Sequence, residues 1–209
     1  MITSLPNLLT LSRIIAIPLL AALFFIPGDG AKWAAMLLFA AAGLTDFLDG
    51  YFARSRRQIS RLGRFLDPVA DKLLVAAVLF LLVAFGRIAG WTVLPALVIL
   101  CREILVSGLR EFLAGLRVRV PVSRLAKWKT AIQMVAIGFL IVGDASPEGI
   151  PALAIGAVGL WVAAALTLIT GYDYLRAGLK YMTPQGGPSS ADASRSNAPR
   201  AAGKTHLSG

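Results

Sequence analysis

The residues best suited to chemistry in this 209-residue chain are four aspartates, Asp46, Asp49, Asp67 and Asp71. They stand in the run D-F-L-D-G-Y-F-A-R at 46–54 and, after eight residues, in G-R-F-L-D-P-V-A-D at 63–71. The first pair is three residues apart and the second pair four, so on helices each pair lies on one face. Long apolar runs precede Asp46 and follow Asp71. Two membrane helices would thus carry two carboxylates each toward a shared point near one membrane surface. Ionisable groups inside spans are costly and mark function. Four oxygen donors with no thiol or imidazole nearby suit a hard cation such as Mg2+ or Mn2+.

The elements that must position these groups follow from composition. Hydrophobic residues make up 57% of the chain and the mean hydropathy is +0.73. That is too apolar for an ordinary soluble domain, and the expectation is an all-α, polytopic membrane protein with six transmembrane helices. The net charge of +10 does not mark a nucleic-acid binder, because the cations cluster between hydrophobic runs, as the positive-inside rule requires. The lone Cys101 permits no internal disulfide. The only histidine, His206, lies in a polar tail. A histidine nucleophile or a zinc cluster within the spans is therefore excluded, and with it a histidine-dependent, phospholipase-D-like route.

The expected spans are residues 5–26, 32–54, 63–85, 91–113, 125–142 and 150–174. The first lacks a basic n-region and a small-residue cleavage site, so no cleaved signal peptide is expected. Asn7, Thr10 and Arg13 form a polar stripe on it. Arg13 has two readings, snorkelling to the headgroups or walling a functional site. Asp67 also has two, because the proline after it fits an N-cap as well as a metal ligand. On the fourth span Glu103, Ser107 and Arg110 share a face, which permits an internal Glu103–Arg110 pair. The basic loops at 54–64 and 117–129, with Arg176 and Lys180, lie on one side of the membrane and Lys32 and Arg87 on the other. This asymmetry puts the carboxylates at the cytoplasmic face. Residues 1–182 form the expected catalytic domain, and the Gly/Ser/Ala/Pro-rich segment 183–209 is expected to be disordered.

The aspartate run resembles the signature of the CDP-alcohol phosphatidyltransferase family, D-x2-D-G-x2-A-R-x8-G-x3-D-x3-D. Asp46, Asp49, Gly50, Ala53, Arg54, Gly63, Asp67 and Asp71 occupy every fixed position, the eight-residue gap included. The resemblance implies that Asp46, Asp49, Asp67 and Asp71 bind two Mg2+ or Mn2+ ions and that Asp71 is also the general base. It implies that Gly50 and Ala53 leave room for CDP-diacylglycerol and that Arg54 meets its pyrophosphate. Asn7, Thr10, Ser60 and Gly63 are further candidates for the CDP-diacylglycerol site. It also implies a homodimer surrounded by membrane lipids.

The acceptor must be read from basic residues. The segments R-E-I-L-V-S-G-L-R-E-F-L-A at 102–114 and L-A-K-W-K-T-A-I-Q-M at 125–134 are most similar to the bacterial phosphatidylglycerophosphate synthase branch. That resemblance implies glycerol 3-phosphate as acceptor, with Arg102, Arg110, Lys127 and Lys129 as candidates for its phosphate. Phosphatidylinositol-phosphate, phosphatidylserine and cardiolipin synthases belong to the same superfamily. A cation-coupled transporter also keeps aspartates within spans, but the spacing match argues against it.

Overall fold

The computed structural model describes the backbone of residues 5–56, 61–115 and 124–182. Side chains are described for 10–45, 69–70, 72–115, 125–172, 174–176 and 179. The described residues form six α-helices and no strand: α1 (Leu5–Phe25), α2 (Asp29–Arg56), α3 (Arg61–Ala84), α4 (Val93–Gly115), α5 (Arg124–Val142) and α6 (Ala152–Met182). Single 3-10 turns at Gly90–Thr92 and Gly143–Ala145 precede α4 and follow α5. Each expected apolar run becomes one helix, which satisfies its backbone groups internally. Several boundaries shift by a few residues. α2 opens at Asp29, whose carboxylate suits a helix N-terminus, and α6 continues eight residues past Tyr174. α3 opens at Arg61, so Asp67 is interior to the helix and does not cap it.

Among the described residues, three stretches are long and apolar enough to cross a membrane: Gly90–Gly115, Leu125–Ala145 and Ala152–Arg176. Thr10–Phe25 and Lys72–Ala84 are shorter apolar stretches among the described residues. Large apolar side chains such as Leu37, Phe80, Trp91 and Val158 point outward, as expected of surfaces in contact with lipid. The helices neighbour one another in a closed ring: α1 touches α2, α2 touches α5, α5 touches α6, α6 touches α4, α4 touches α3, and α3 returns to α1. Leu20, Phe39, Val78, Ile99, Ile137 and Leu160 belong to the buried cluster that fills it.

Polar contacts tie one end of the ring together. Arg87, in the α3–α4 turn, donates from one Nη1 to the carbonyls of Leu140 and Ile141 at the end of α5. Those carbonyls have no partner within the helix, and a cation there also meets the negative end of the helix dipole. Gly143 makes this possible, because its φ of +55° turns the chain off α5. Burial lowers the proton affinity of Arg87 and nearby Asp144 raises it. The guanidinium also lies 5.6 Å from the Phe24 ring, and Phe24 and Phe25 both pack on Phe85. Lys32 bridges Asp29 and Asp144, at 2.9 Å from each. Trp33 donates its indole N–H to the Ala145 carbonyl at 3.1 Å. The α1–α2, α3–α4 and α5–α6 turns are thereby joined.

α5 and α6 pack backbone to backbone. A Cβ on Gly156 would lie 2.6 Å from Leu140 Cγ and 3.0 Å from the Ala136 carbonyl oxygen, and one on Gly159 would lie 2.8 Å from Ala136 Cβ. Small residues let membrane helices approach this closely. Gly156→Ala should therefore lower stability by about 1–3 kcal/mol through overpacking. A lower melting temperature of the detergent-solubilised protein will report it, and an unchanged one would show that this contact yields freely.

Candidate active site

The joined end gives a common origin for measuring depth. Asp46 lies fourteen residues along α2 from Lys32, Asp71 fourteen along α3 from Phe85, and Thr10 fourteen along α1 from Phe24. At ~1.5 Å per residue each is roughly 21 Å from the joined end. Lys129, fifteen residues from Asp144 on the α5 side, falls at about the same depth. Residues widely separated in sequence thus fall at similar helical distances from the joined end.

Around Lys129 the described side chains form a polar cluster between α4, α5 and α6. Lys129 is buried and donates to Glu103 in a close ion pair. Glu103 also lies 3.8 Å from an Nη of Arg102. The other Nη of Arg102 donates to Thr170 Oγ1 at 3.1 Å. The Arg102 guanidinium sits 5.9 Å from the Tyr174 ring. Gln133, one turn from Lys129, and Thr167, one turn from Thr170, are buried as well. The Nε of Arg102, Oε1 of Gln133 and Oγ1 of Thr167 are buried without hydrogen-bond partners. Among the described side chains two cations, Arg102 and Lys129, flank one carboxylate, Glu103, in apolar surroundings.

The placement of the sequence-derived candidates can now be stated residue by residue. Asp46, Asp49, Gly50, Ala53 and Arg54 fall within α2, and Gly63, Asp67 and Asp71 within α3. Their side chains lie outside the described residues, as does that of Asn7 on α1. Ser60 and the segment 183–209 lie wholly outside them. Among the described residues no three His, Cys, Asp or Glu side chains come together. Thr10 is fully buried, and Arg13 is 1% exposed on the same face of α1. Arg13 therefore does not snorkel to the headgroups. Arg102 and Lys129 are brought together through Glu103, whereas Arg110 and Lys127 are exposed. The permitted Glu103–Arg110 pair is replaced by Glu103–Lys129. The α6 contribution from Thr167, Thr170 and Tyr174 escaped the sequence reading. Its signal was available, because steps of three and four put these polar groups on one face of an apolar helix.

The profile of the CDP-alcohol phosphatidyltransferase family matches residues 3–169. The chain belongs to this family. A CDP-diacylglycerol–glycerol-3-phosphate 3-phosphatidyltransferase of Rickettsia bellii is 47% identical over 178 residues, covering 85% of this chain and 97% of the relative. A protein of the same name from Haemophilus influenzae is 40% identical, covering 83% and 92%. Among solved structures, the phosphatidylinositol phosphate synthase of Mycobacterium tuberculosis with CDP-DAG bound superposes with a TM-score of 0.61 at 24% identity, covering 85% of this chain and 87% of that one. The same enzyme crystallised with manganese and citrate gives 0.61 at 23% identity, covering 83% and 81%. At such identities the likeness shows the fold alone. As a CDP-alcohol phosphatidyltransferase the chain is an enzyme of phospholipid biosynthesis and a membrane protein.

The ion pair in the polar cluster yields a direct test. Glu103→Leu removes the carboxylate paired with the buried Lys129 and should cost about 3–5 kcal/mol of stability. Adding Lys129→Met removes the remaining charge of the pair and should recover most of the loss. Thermal unfolding of the wild type, both single variants and the double variant measures the coupling. Additive losses would mean that the pair is energetically idle.

Proposed function

We propose that this enzyme transfers the phosphatidyl group of CDP-diacylglycerol to sn-glycerol 3-phosphate, releasing CMP and forming phosphatidylglycerophosphate. The observation that carries this reading is the 47% identity, over nearly the whole of both chains, to a protein named for that reaction. The complete aspartate signature at 46–71 and the cationic cluster around Arg102 and Lys129 agree with it.

The chain's own residues take these roles. Asp46, Asp49, Asp67 and Asp71 hold divalent cations, Mg2+ or Mn2+, two per site. The donor set fits, being four carboxylates on two helices with no soft ligand beside them. When bound, the cations neutralise pyrophosphate charge that would repel an incoming oxygen. Gly50 and Ala53 give the nucleotide room, Arg54 pairs with the pyrophosphate, and Asn7, Thr10, Ser60 and Gly63 complete the CDP-diacylglycerol site. Arg102 and Lys129 grip the acceptor phosphate, and the exposed Arg110 and Lys127 draw the dianion toward them. Asp71 takes the proton from the acceptor hydroxyl. Its oxygen then forms a bond to the phosphatidyl phosphorus, and the bond from that phosphorus to the CMP oxygen breaks. The six helices all cross the bacterial inner membrane, the site opens to the cytoplasm, and two chains form a homodimer. Residues 1–182 make up the catalytic domain.

The test is metal-dependent CMP release by purified protein supplied with CDP-diacylglycerol. Glycerol 3-phosphate, myo-inositol 1-phosphate, serine and phosphatidylglycerol are offered separately. The first should be clearly preferred; preference for another acceptor overturns the assignment. A chelator should abolish turnover, and Mg2+ or Mn2+ should restore it. Asp71→Asn should lower turnover by ~10²–10⁴-fold in protein that still inserts. Near-normal activity would remove Asp71 from the chemistry.

Truncation after Met182 should leave kcat and both KM values within about twofold, because chain ends rarely support a core. The same CMP assay decides it. A large loss in well-inserted protein would assign the tail a role in catalysis.

A further inference from the structure

We infer that Thr170, Gly171 and Tyr174 on α6 are positioning residues that fix the Arg102 guanidinium for the acceptor's phosphate. The inference rests on the proposed reading of Arg102 as a phosphate-binding residue. It concerns α6 residues outside the matched family pattern, which ends at residue 169.

An arginine side chain has many rotamers, and a flexible one binds a phosphate weakly because its freedom is lost on binding. Arg102 is held on three sides by α6. Thr170 Oγ1 accepts from Nη2 at 3.1 Å. It can accept because its own hydrogen points to the Leu166 carbonyl at 2.8 Å. Thr170 is 1% exposed, so water does not compete for that bond. The aliphatic stem of Arg102 lies on the backbone of Gly171, where a Cβ would come within 3.1 Å of Cγ and 3.4 Å of Nε. The buried Tyr174 ring offers its electrons to the guanidinium at 5.9 Å. On α4 itself, Glu103 limits the remaining swing from 3.8 Å.

These contacts leave donors to spare. A guanidinium carries five N–H groups, and Thr170 takes only one, from Nη2. The α6 shelf thus orders the cation without consuming its capacity to bind an anion. That combination is preorganisation, in which the ordering cost falls on folding and not on binding.

The experiment measures KM for each substrate and kcat by CMP release, after the wild type has identified the acceptor it uses. Thr170→Val removes the accepting oxygen at nearly constant volume. It should raise the acceptor KM about tenfold, the scale of one hydrogen bond to a charged group. The KM for CDP-diacylglycerol should stay within about twofold, since α6 is not assigned to that substrate. Thr170→Ser, which keeps the oxygen, should restore the acceptor KM. Gly171→Ala should raise it in the same direction, and it carries the test if Thr170→Val fails to fold. In an Arg102→Lys background, Thr170→Val should add less than about a twofold change, because the geometry it fixes is already lost. An acceptor KM within about twofold of wild type, an equal rise for both substrates, or full additivity with Arg102→Lys overturns the inference. If the wild type prefers another phosphorylated acceptor, only the glycerol 3-phosphate assignment falls, and the same variants are read on that acceptor. A wild type that uses only unphosphorylated acceptors overturns both.

Discussion

The grip of Arg87 on the last carbonyls of α5 is the contact from which the rest of the structure takes its register. A helix ends with four carbonyls that lack internal partners, and in apolar surroundings each must find a donor. Arg87 supplies it from a turn between two other helices. Lys32, reaching Asp144 from α2, and Trp33, reaching the Ala145 carbonyl, fasten the same corner. Because helices are rigid rods of fixed rise, fastening one end sets the height of every residue at the other. By that count Asp46, Asp71, Thr10 and Lys129 fall at similar distances along their helices from the fastened corner.

Much of this was legible from the sequence. Apolar runs bounded by Gly, Pro and charge gave the six helices to within a few residues, because satisfying the backbone without water leaves one solution. The spacing of Asp46, Asp49, Gly50, Ala53, Arg54, Gly63, Asp67 and Asp71 gave the family, because a signature with fixed gaps is read without any knowledge of packing. The partners of charged groups were less legible. Glu103 has Arg110 on its own face by local spacing, yet it pairs with Lys129 from another helix. Local spacing measures neighbours on one rod, while the pair is set by how two rods lie against each other. The start of α3 at Arg61 shows the same limit. The Asp-Pro dipeptide looks like a beginning, but the helix opens earlier and carries the proline in its interior.

The tight seam between α5 and α6 links packing to the polar cluster. Gly156 and Gly159 let the two backbones approach, and the same helices carry Lys129 and Gln133 on one side and Thr167 and Thr170 on the other. Polar groups brought this close in a low dielectric interact strongly, so their geometry is specified as firmly as that of the apolar core. Arg102 reaches α6 from α4 and finds an acceptor, a ring and a bare stretch of backbone there.

The depth of these positions also bears on how two unlike reactants meet. On the proposed reaction one substrate diffuses in two dimensions within the bilayer and the other in three dimensions through water. Lys129 is five residues from the start of α5, whereas Asp46 is ten from the end of α2 and Asp71 ten from the start of α3, so these positions stand roughly 7–15 Å inside the helix ends. A phosphorylated polyol meets Lys129 at the shallow side of that range. A lipid with a nucleotide headgroup need not lift its acyl chains out of the membrane. Fastening the far corner of the bundle fixes the depth at which the two phases exchange a phosphoryl group.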